Sequence, residues 1–222
     1  MTTILLTGFE PFGTTPINPA EKVAKFLDGD EIDGARVVSR IVPSAFFTCI
    51  DAVCAAIEEV RPETVVMMGE YGGRAMLTVE RIAQNLNDGT RYKLADNKGR
   101  ATQGEPTVPG GPAAYYTTLP MRAMVQAMRD AGIPSDISDV MGTFCCNHLM
   151  YGVMHHITVN RLDIRAGWIH LPHLPEVAAL DDHLGLPSMS VETAAAGVRA
   201  GLAAIVTHAE DIDEPSLSRW QI

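Results

Sequence analysis

The chain has 222 residues, 46% of them hydrophobic and 20% charged, with a formal net charge of -10. That length and composition describe a globular chain able to bury a sizeable core as one domain over 1–222. The acidic balance argues against a nucleic-acid partner, which needs a basic face, and no apolar run approaches the roughly 20 residues that span a membrane.

The start, MTTILLTGF, has neither a basic leader nor a small-residue cleavage site and reads as a strand, Thr3 to Thr7, ended by Gly8. The loop GFEPFGTTPINPAE follows, where Phe9 and Phe12 either cover the core or wall a pocket. Asn18-Pro19 opens a helix with Asn18 as N-cap first and ligand-binding residue second. Arg36 to Val42 reads as the next strand, closed by Pro43. Ser44 is expected to cap a helix whose apolar stripe runs through Phe47, Ile50, Val53, Ile57 and Val60 to a stop at Pro62, with Cys49 and Cys54 packed on or beside it.

Thr64 to Met68 is a buried strand running into GEYGGR, Gly69 to Arg74. Glycines clustered at a strand's carboxyl end are where α/β proteins place ligands, although the spacing matches neither a dinucleotide nor a phosphate-loop fingerprint. Met76 to Ala83 alternates like another strand and carries Glu80 beside Arg81. Adjacent strand residues point to opposite faces, so one of the two faces inward unless both form a surface pair. Asn87 to Tyr116 is long, polar and rich in glycine and proline, a length expected of a lid or binding loop. Arg91 and Arg100 within it either meet an anion or are solvated. Pro112 and Pro120 each suit a first helical turn, the second opening a helix from Met121 to Ala131 that Gly132 ends.

The stretch GTFCCNHLMYGVMHH, Gly142 to His156, puts Cys145 and Cys146 where an extended segment becomes helical. A thiol near the positive end of a helix dipole is favoured as thiolate, whereas buried cysteine is equally at home as an inert hydrophobe. Neighbouring cysteines strain any bridge between them, and four cysteines in such a chain fit a reducing cytoplasm better than a disulfide framework. Ala166 to Leu171 is a strand carrying His170, either as hydrogen-bonded core or as a positioned base. Ser190 caps a final helix, Val191 to His208, before a polar tail, Asp211 to Ile222, read as loosely held. The alternation of strands and helices predicts an α/β sandwich: a twisted, mostly parallel or mixed central sheet with helices on both faces.

Thiol hydrolysis needs a nucleophile, a base, a group that orients the base and donors for the oxyanion. Cys146, His170 and Glu80 make that set if the sheet brings them to one edge. His148, His155 and His156 lie on the cysteine's own helix, and His173 follows a proline, so His170 ranks first. No histidine pair shows zinc-site spacing, so neither a metal nor any other cofactor is expected.

Four stretches in order, LLTGFEPFG with INPA, GGR followed by VERIAQN, GTFCCNHLMYG and AGWIHLPHLPE, closely resemble pyroglutamyl peptidase type I, also called pyrrolidone-carboxylate peptidase. The resemblance runs from the first strand to the SMSVET helix. It implies removal of an N-terminal pyroglutamyl residue from peptides, with Cys146 as nucleophile, His170 as general base and Glu80 orienting it. It makes Phe9, Phe12 and Phe144 aromatic walls of the pyroglutamyl pocket, places Asn18 at the family's Asn-Pro, and makes Arg91 the counterpart of an arginine near the active site. It also implies a homotetramer or dimer. The chain departs from the pattern with Glu70 where the family has Gln, Tyr71 where it has a small residue, SDVMG where it has SNTAG, and a longer segment between Asn87 and Asn97. Two other readings are a phosphorylase-like enzyme that binds phosphate through arginines, and a binding protein that keeps the pocket without turnover.

Overall fold

The computed structural model describes residues 2–219 and 222. In chain order its strands are β1 (Thr2–Phe9), β2 (Glu31–Ile32), β3 (Ala35–Val42), β4 (Thr64–Glu70), β5 (Leu77–Glu80), β6 (Ile82–Gln84), β7 (Ala114–Tyr116), β8 (Ser135–Ser138) and β9 (Arg165–Leu171). Its α-helices are α1 (Pro19–Leu27), α2 (Thr48–Val60), α3 (Met121–Asp130), α4 (Cys145–Asn160), α5 (Pro175–Ala178) and α6 (Val191–Thr207). Seven strands form one sheet in the order β2-β3-β1-β4-β9-β5-β8, and β6 and β7 form a separate ribbon.

The sheet is mixed. β3, β1, β4 and β9 run parallel, whereas β5 pairs antiparallel with β9 and parallel with β8. Apolar runs in the central strands reflect burial on both faces. Ile4, Leu6, Val66 and Met68 face α1, α3 and α6, and Leu5, Val65, Met67 and Trp168 face α2 and α4. This is the predicted sandwich with helices on both faces.

Local chemistry explains the elements read correctly. Asn18 Oδ1 accepts from the Ala20 N–H at 2.9 Å and caps α1, with Pro19 at its first position. Ser190 Oγ accepts from the Thr193 N–H and caps α6. Other expectations fail for physical reasons. Ser44 does not cap α2, because its N–H and Oγ are both bonded to Glu10, on Oε1 and the backbone carbonyl. The helix starts instead after Phe47, whose φ of 63° is costly for a bulky side chain. Cys49 is core, but Cys54 is only half-buried. The expected single strand from Met76 breaks at Arg81 into β5 and β6, so Glu80 turns inward and Arg81 pairs at the surface with Asp139 at 2.5 Å. Pro112 opens no helix and leads into β7. The tail is tied down as far as 218: Asp211 accepts from the N–H groups of Arg122 and Ala123, and Ser218 bonds Asp136. Trp220 and Gln221 of that tail lie outside the described residues.

The segment between β6 and β7, expected as a lid or binding loop, is fastened to the body of the fold by hydrogen bonds. The Asp96 carboxylate accepts from the N–H groups of Phe46, Lys98 and Arg100. Asn97 bonds Glu10 and the Pro11 carbonyl. Buried His148 of α4 accepts from the Phe47 N–H at Nε2, at 2.8 Å, and contacts Thr107 Oγ1 at Nδ1, at 3.0 Å. One histidine thus joins the lid, the entry of α2 and the interior of α4.

Candidate active site

The site begins with register. On β9, His170 lies between Gly69 of β4 and Thr78 of β5. Glu80 is paired with Trp168, so its side chain shares a face with His170 as a diagonal neighbour. The Nδ1–H of His170 donates to Glu80 Oε1 at 2.8 Å, and the two side chains are 1% and 0% exposed. Arg74 Nη1 reaches the same oxygen at 2.6 Å and Thr78 Oγ1 at 2.5 Å, while its Nη2 donates to the Val140 carbonyl at 2.7 Å. The guanidinium also lies 3.7 Å above the Tyr71 ring.

These contacts set protonation. Burial works to raise the Glu80 pKa, but hydrogen bonding from His170 and the charges of His170 and Arg74 outweigh it and lower the group to about 2. Burial holds His170 below its usual value, against the pull of Glu80. A neutral imidazole that donates from Nδ1 leaves the Nε2 lone pair available, and Nε2 is buried with no hydrogen-bond partner among the described residues. This is the proton inventory of a general base.

Cys146 enters from the opposite layer. Extended Phe144 precedes the first turn of α4, with Cys145 first in the helix and Cys146 second. Gly142, at φ 83°, takes the left-handed turn that brings the chain to this helix start. The first turn leaves N–H groups without intrahelical acceptors, a ready oxyanion site. Asn147 fixes the turn: its Oδ1 accepts from the Gln84 N–H, and its Nδ2 donates to the carbonyls of Gln84 and Leu86. The thiol packs on Gly69, where an added Cβ would lie 2.9 Å from Cys146 Sγ and 2.7 Å from the Trp168 ring. Gly69, against which the thiol packs, is the register partner of His170, so the strand pairing carries both residues to the same part of the sheet.

Both groups line a cleft of 260 Å³ with Phe12, Glu70, Tyr71, Phe144 and the lid residues Tyr92 and Leu94. A second, small recess bounded by Phe9, Phe12, Asn18, Glu70, Phe144 and Cys146 adjoins it. Phe12 and Phe144 stand 6.0 Å apart, and Phe46 meets Phe144 edge-on at 5.4 Å. The expected aromatic walls therefore come together with Asn18 and Glu70.

Arg91 does not join them. It is exposed, stacked 4.9 Å over the Tyr92 ring, and touches the cleft only through that tyrosine. The arginine tied to the site is Arg74, which holds Glu80 and stacks on Tyr71, and which sequence reasoning passed over because GGR carries no sign of that reach. The helix end favours a Cys146 thiolate, as expected, but burial first, then the charges of Glu80 and Glu70, work against it and push the pKa up. Cys145 is buried in the core and also raised, first by burial. Among the described residues no group of three or more His, Cys, Asp or Glu side chains is arranged to hold a metal ion, and no helix is long and apolar enough to cross a membrane.

The chemistry agrees with known proteins. Residues 2–208 match the family model for pyroglutamyl peptidase. The pyrrolidone-carboxylate peptidases of Mycobacterium marinum and Mycobacterium tuberculosis are 62% and 60% identical over 222 residues, covering all of both chains. The crystal structure of pyroglutamyl peptidase I from Bacillus amyloliquefaciens superposes with a TM-score of 0.92 at 36% identity, covering 96% of this chain and 99% of that one. A mutant pyrrolidone carboxyl peptidase from Pyrococcus furiosus gives 0.87 at 35% identity, covering 93% and 99%. Against the phosphorylase-like alternative, Arg74 is already held by Glu80, Thr78 and a backbone carbonyl. The chain belongs to the pyroglutamyl peptidase family of cysteine peptidases, enzymes that remove an N-terminal pyroglutamyl residue from peptides.

Proposed function

We propose that Cys146, His170 and Glu80 are the catalytic residues of this peptidase, with Phe9, Phe12, Phe144, Asn18 and Glu70 forming the pocket for the pyroglutamyl ring. The observation that carries the assignment is the buried Glu80–His170 pair, whose histidine lines the same cleft as Cys146 and whose Nε2 has no hydrogen-bond partner among the described residues. A pyroglutamyl terminus is a lactam without an amino charge, which suits aromatic walls and a few polar partners.

His170 Nε2 takes the Cys146 proton as the sulfur attacks the carbonyl linking pyroglutamate to the next residue, so the thiolate forms only as it reacts. The Cys145 and Cys146 N–H groups hold the oxyanion, each worth about 3 kcal/mol. The imidazolium, stabilised by Glu80, protonates the departing amine as the C–N bond breaks. His170 then takes a proton from water, which attacks the thioester, releasing pyroglutamate and returning the proton to sulfur. Fluorophore release from pyroglutamyl-coumarylamide tests the reading: turnover that disappears on thiol alkylation supports it, and alkylation-resistant turnover overturns it.

A cytoplasmic location follows from a mechanism that requires reduced sulfur and from four free cysteines. The proposed assembly is a homodimer or homotetramer, which light scattering distinguishes from a 23.9 kDa monomer.

A further inference from the structure

Glu70 ends β4, lines both the cleft and the small recess, and takes no part in the proton path from Cys146 to His170. Its Oε1 lies 2.6 Å from His173 Nδ1, and the two side chains are 3% and 8% exposed. His173 is wedged over Gly72, where an added Cβ would come within 2.3 Å of Nε2, and its ring stands 4.9 Å from that of His183. Close, enclosed acid and base groups titrate as a pair and share a proton.

We propose that Glu70 and His173 form one proton-holding unit that selects the uncharged lactam over the ammonium of an ordinary N-terminus, and that it binds substrate only while it keeps its proton. The proposal rests on the pyroglutamyl reading of the cleft. A lactam N–H needs an acceptor, which a Glu70 oxygen supplies. A lone carboxylate would attract an ammonium more strongly than an amide N–H. Neutralised by His173, the unit still accepts from the amide but offers a buried ammonium no counter-charge, and an unpaired buried charge is strongly disfavoured.

The surroundings sharpen the dependence on that proton. Burial raises Glu70, and the hydrogen bond and charge of His173, then the charge of His183, lower it. Glu70 also faces Tyr71 beside it, Cys145 and Cys146 from α4, His170 from β9 and Tyr92 from the lid. His170 is held low and the two thiols are held high, chiefly by burial, while the charge of Arg74 is engaged by Glu80. Losing the shared proton would leave a carboxylate beside Cys146, disfavouring thiolate formation as well as binding.

The test is KM against pH for pyroglutamyl-coumarylamide, with binding of 2-pyrrolidone by calorimetry as a second readout. Wild-type KM should rise about tenfold per pH unit once the unit loses its proton. Glu70→Gln, whose amide cannot titrate, should remove that rise. His173→Phe should raise KM at neutral pH and gain affinity for pyrrolidinium, with Glu70→Gln in the same chain reversing both. His183→Asn, which removes only a weaker neighbouring charge that lowers Glu70, should keep the rise and move it to slightly higher pH. An unchanged profile in Glu70→Gln, or a rise that disappears in His183→Asn, overturns the proposal. If His173→Phe fails to fold, the Glu70→Gln profile and the double variant still decide. A wild-type enzyme that turns over with a flat KM profile sinks only this inference, whereas absent turnover sinks the catalytic assignment and leaves 2-pyrrolidone binding to judge the unit.

Discussion

At the scale of single residues, the two adjacent cysteines are separated by one helical step of about 100°. Cys145 turns into the core between the sheet and α2, while half-buried Cys146 reaches the cleft. Cys146→Ser should therefore abolish hydrolysis of pyroglutamyl-coumarylamide, and Cys145→Ser should retain most of it; the reverse pattern in a steady-state assay would exchange their roles. Glu80→Gln keeps the shape but loses the charge that stabilises the imidazolium. It should lower kcat on the order of 10²-fold or more with little change in KM, and an unchanged kcat would leave Glu80 a structural role only. The residue types for this chemistry were readable in the chain. Arg74 and the Glu70–His173 contact were not, because each joins side chains whose meeting depends on strand register.

At the scale of elements, the helix start and the strand ends hold the nucleophile by close approach. Gly69 is required because α4 sits so near β4 that a methyl group there would strike both the Trp168 ring and the Cys146 sulfur. Gly69→Ala should cut kcat severely, with thermal unfolding moving far less; wild-type turnover in that variant would show that the helix can yield. The lid makes a separate prediction. Burial and the charge of Arg100 lower His148 to about 4, against the pull of Asp96. The folded pKa lies below the unfolded one, so stability from neutral His148 is present above about pH 6.5 and lost as pH falls toward 4. Proteolysis between β6 and β7 should therefore accelerate over that window. His148→Gln, which keeps an acceptor but does not titrate, should remove the acceleration.

At the scale of the molecule, Glu80 couples the active site to acid stability. Its folded pKa of about 2 lies below the ordinary 4.5, so its contribution is present above 4.5 and lost as pH falls through about 2. Glu80→Gln should flatten the decline of Tm across that interval; an equally steep decline would show that other carboxylates govern acid unfolding.

The sequence by itself determined the layer architecture, since alternating apolar strands and helices with caps at Asn18 and Ser190 have few ways to bury their faces. Its family motifs also pointed to the reaction. It could not reveal that β5 runs antiparallel to β9, that Ser44 is bound to Glu10 and caps nothing, or that Arg91 lies outside the cleft. Those outcomes depend on partners far apart in the chain. The tertiary structure alone brought burial and the charges of Glu80 and Glu70 to bear on the Cys146 thiol, because these act through space and oppose the local pull of the helix end.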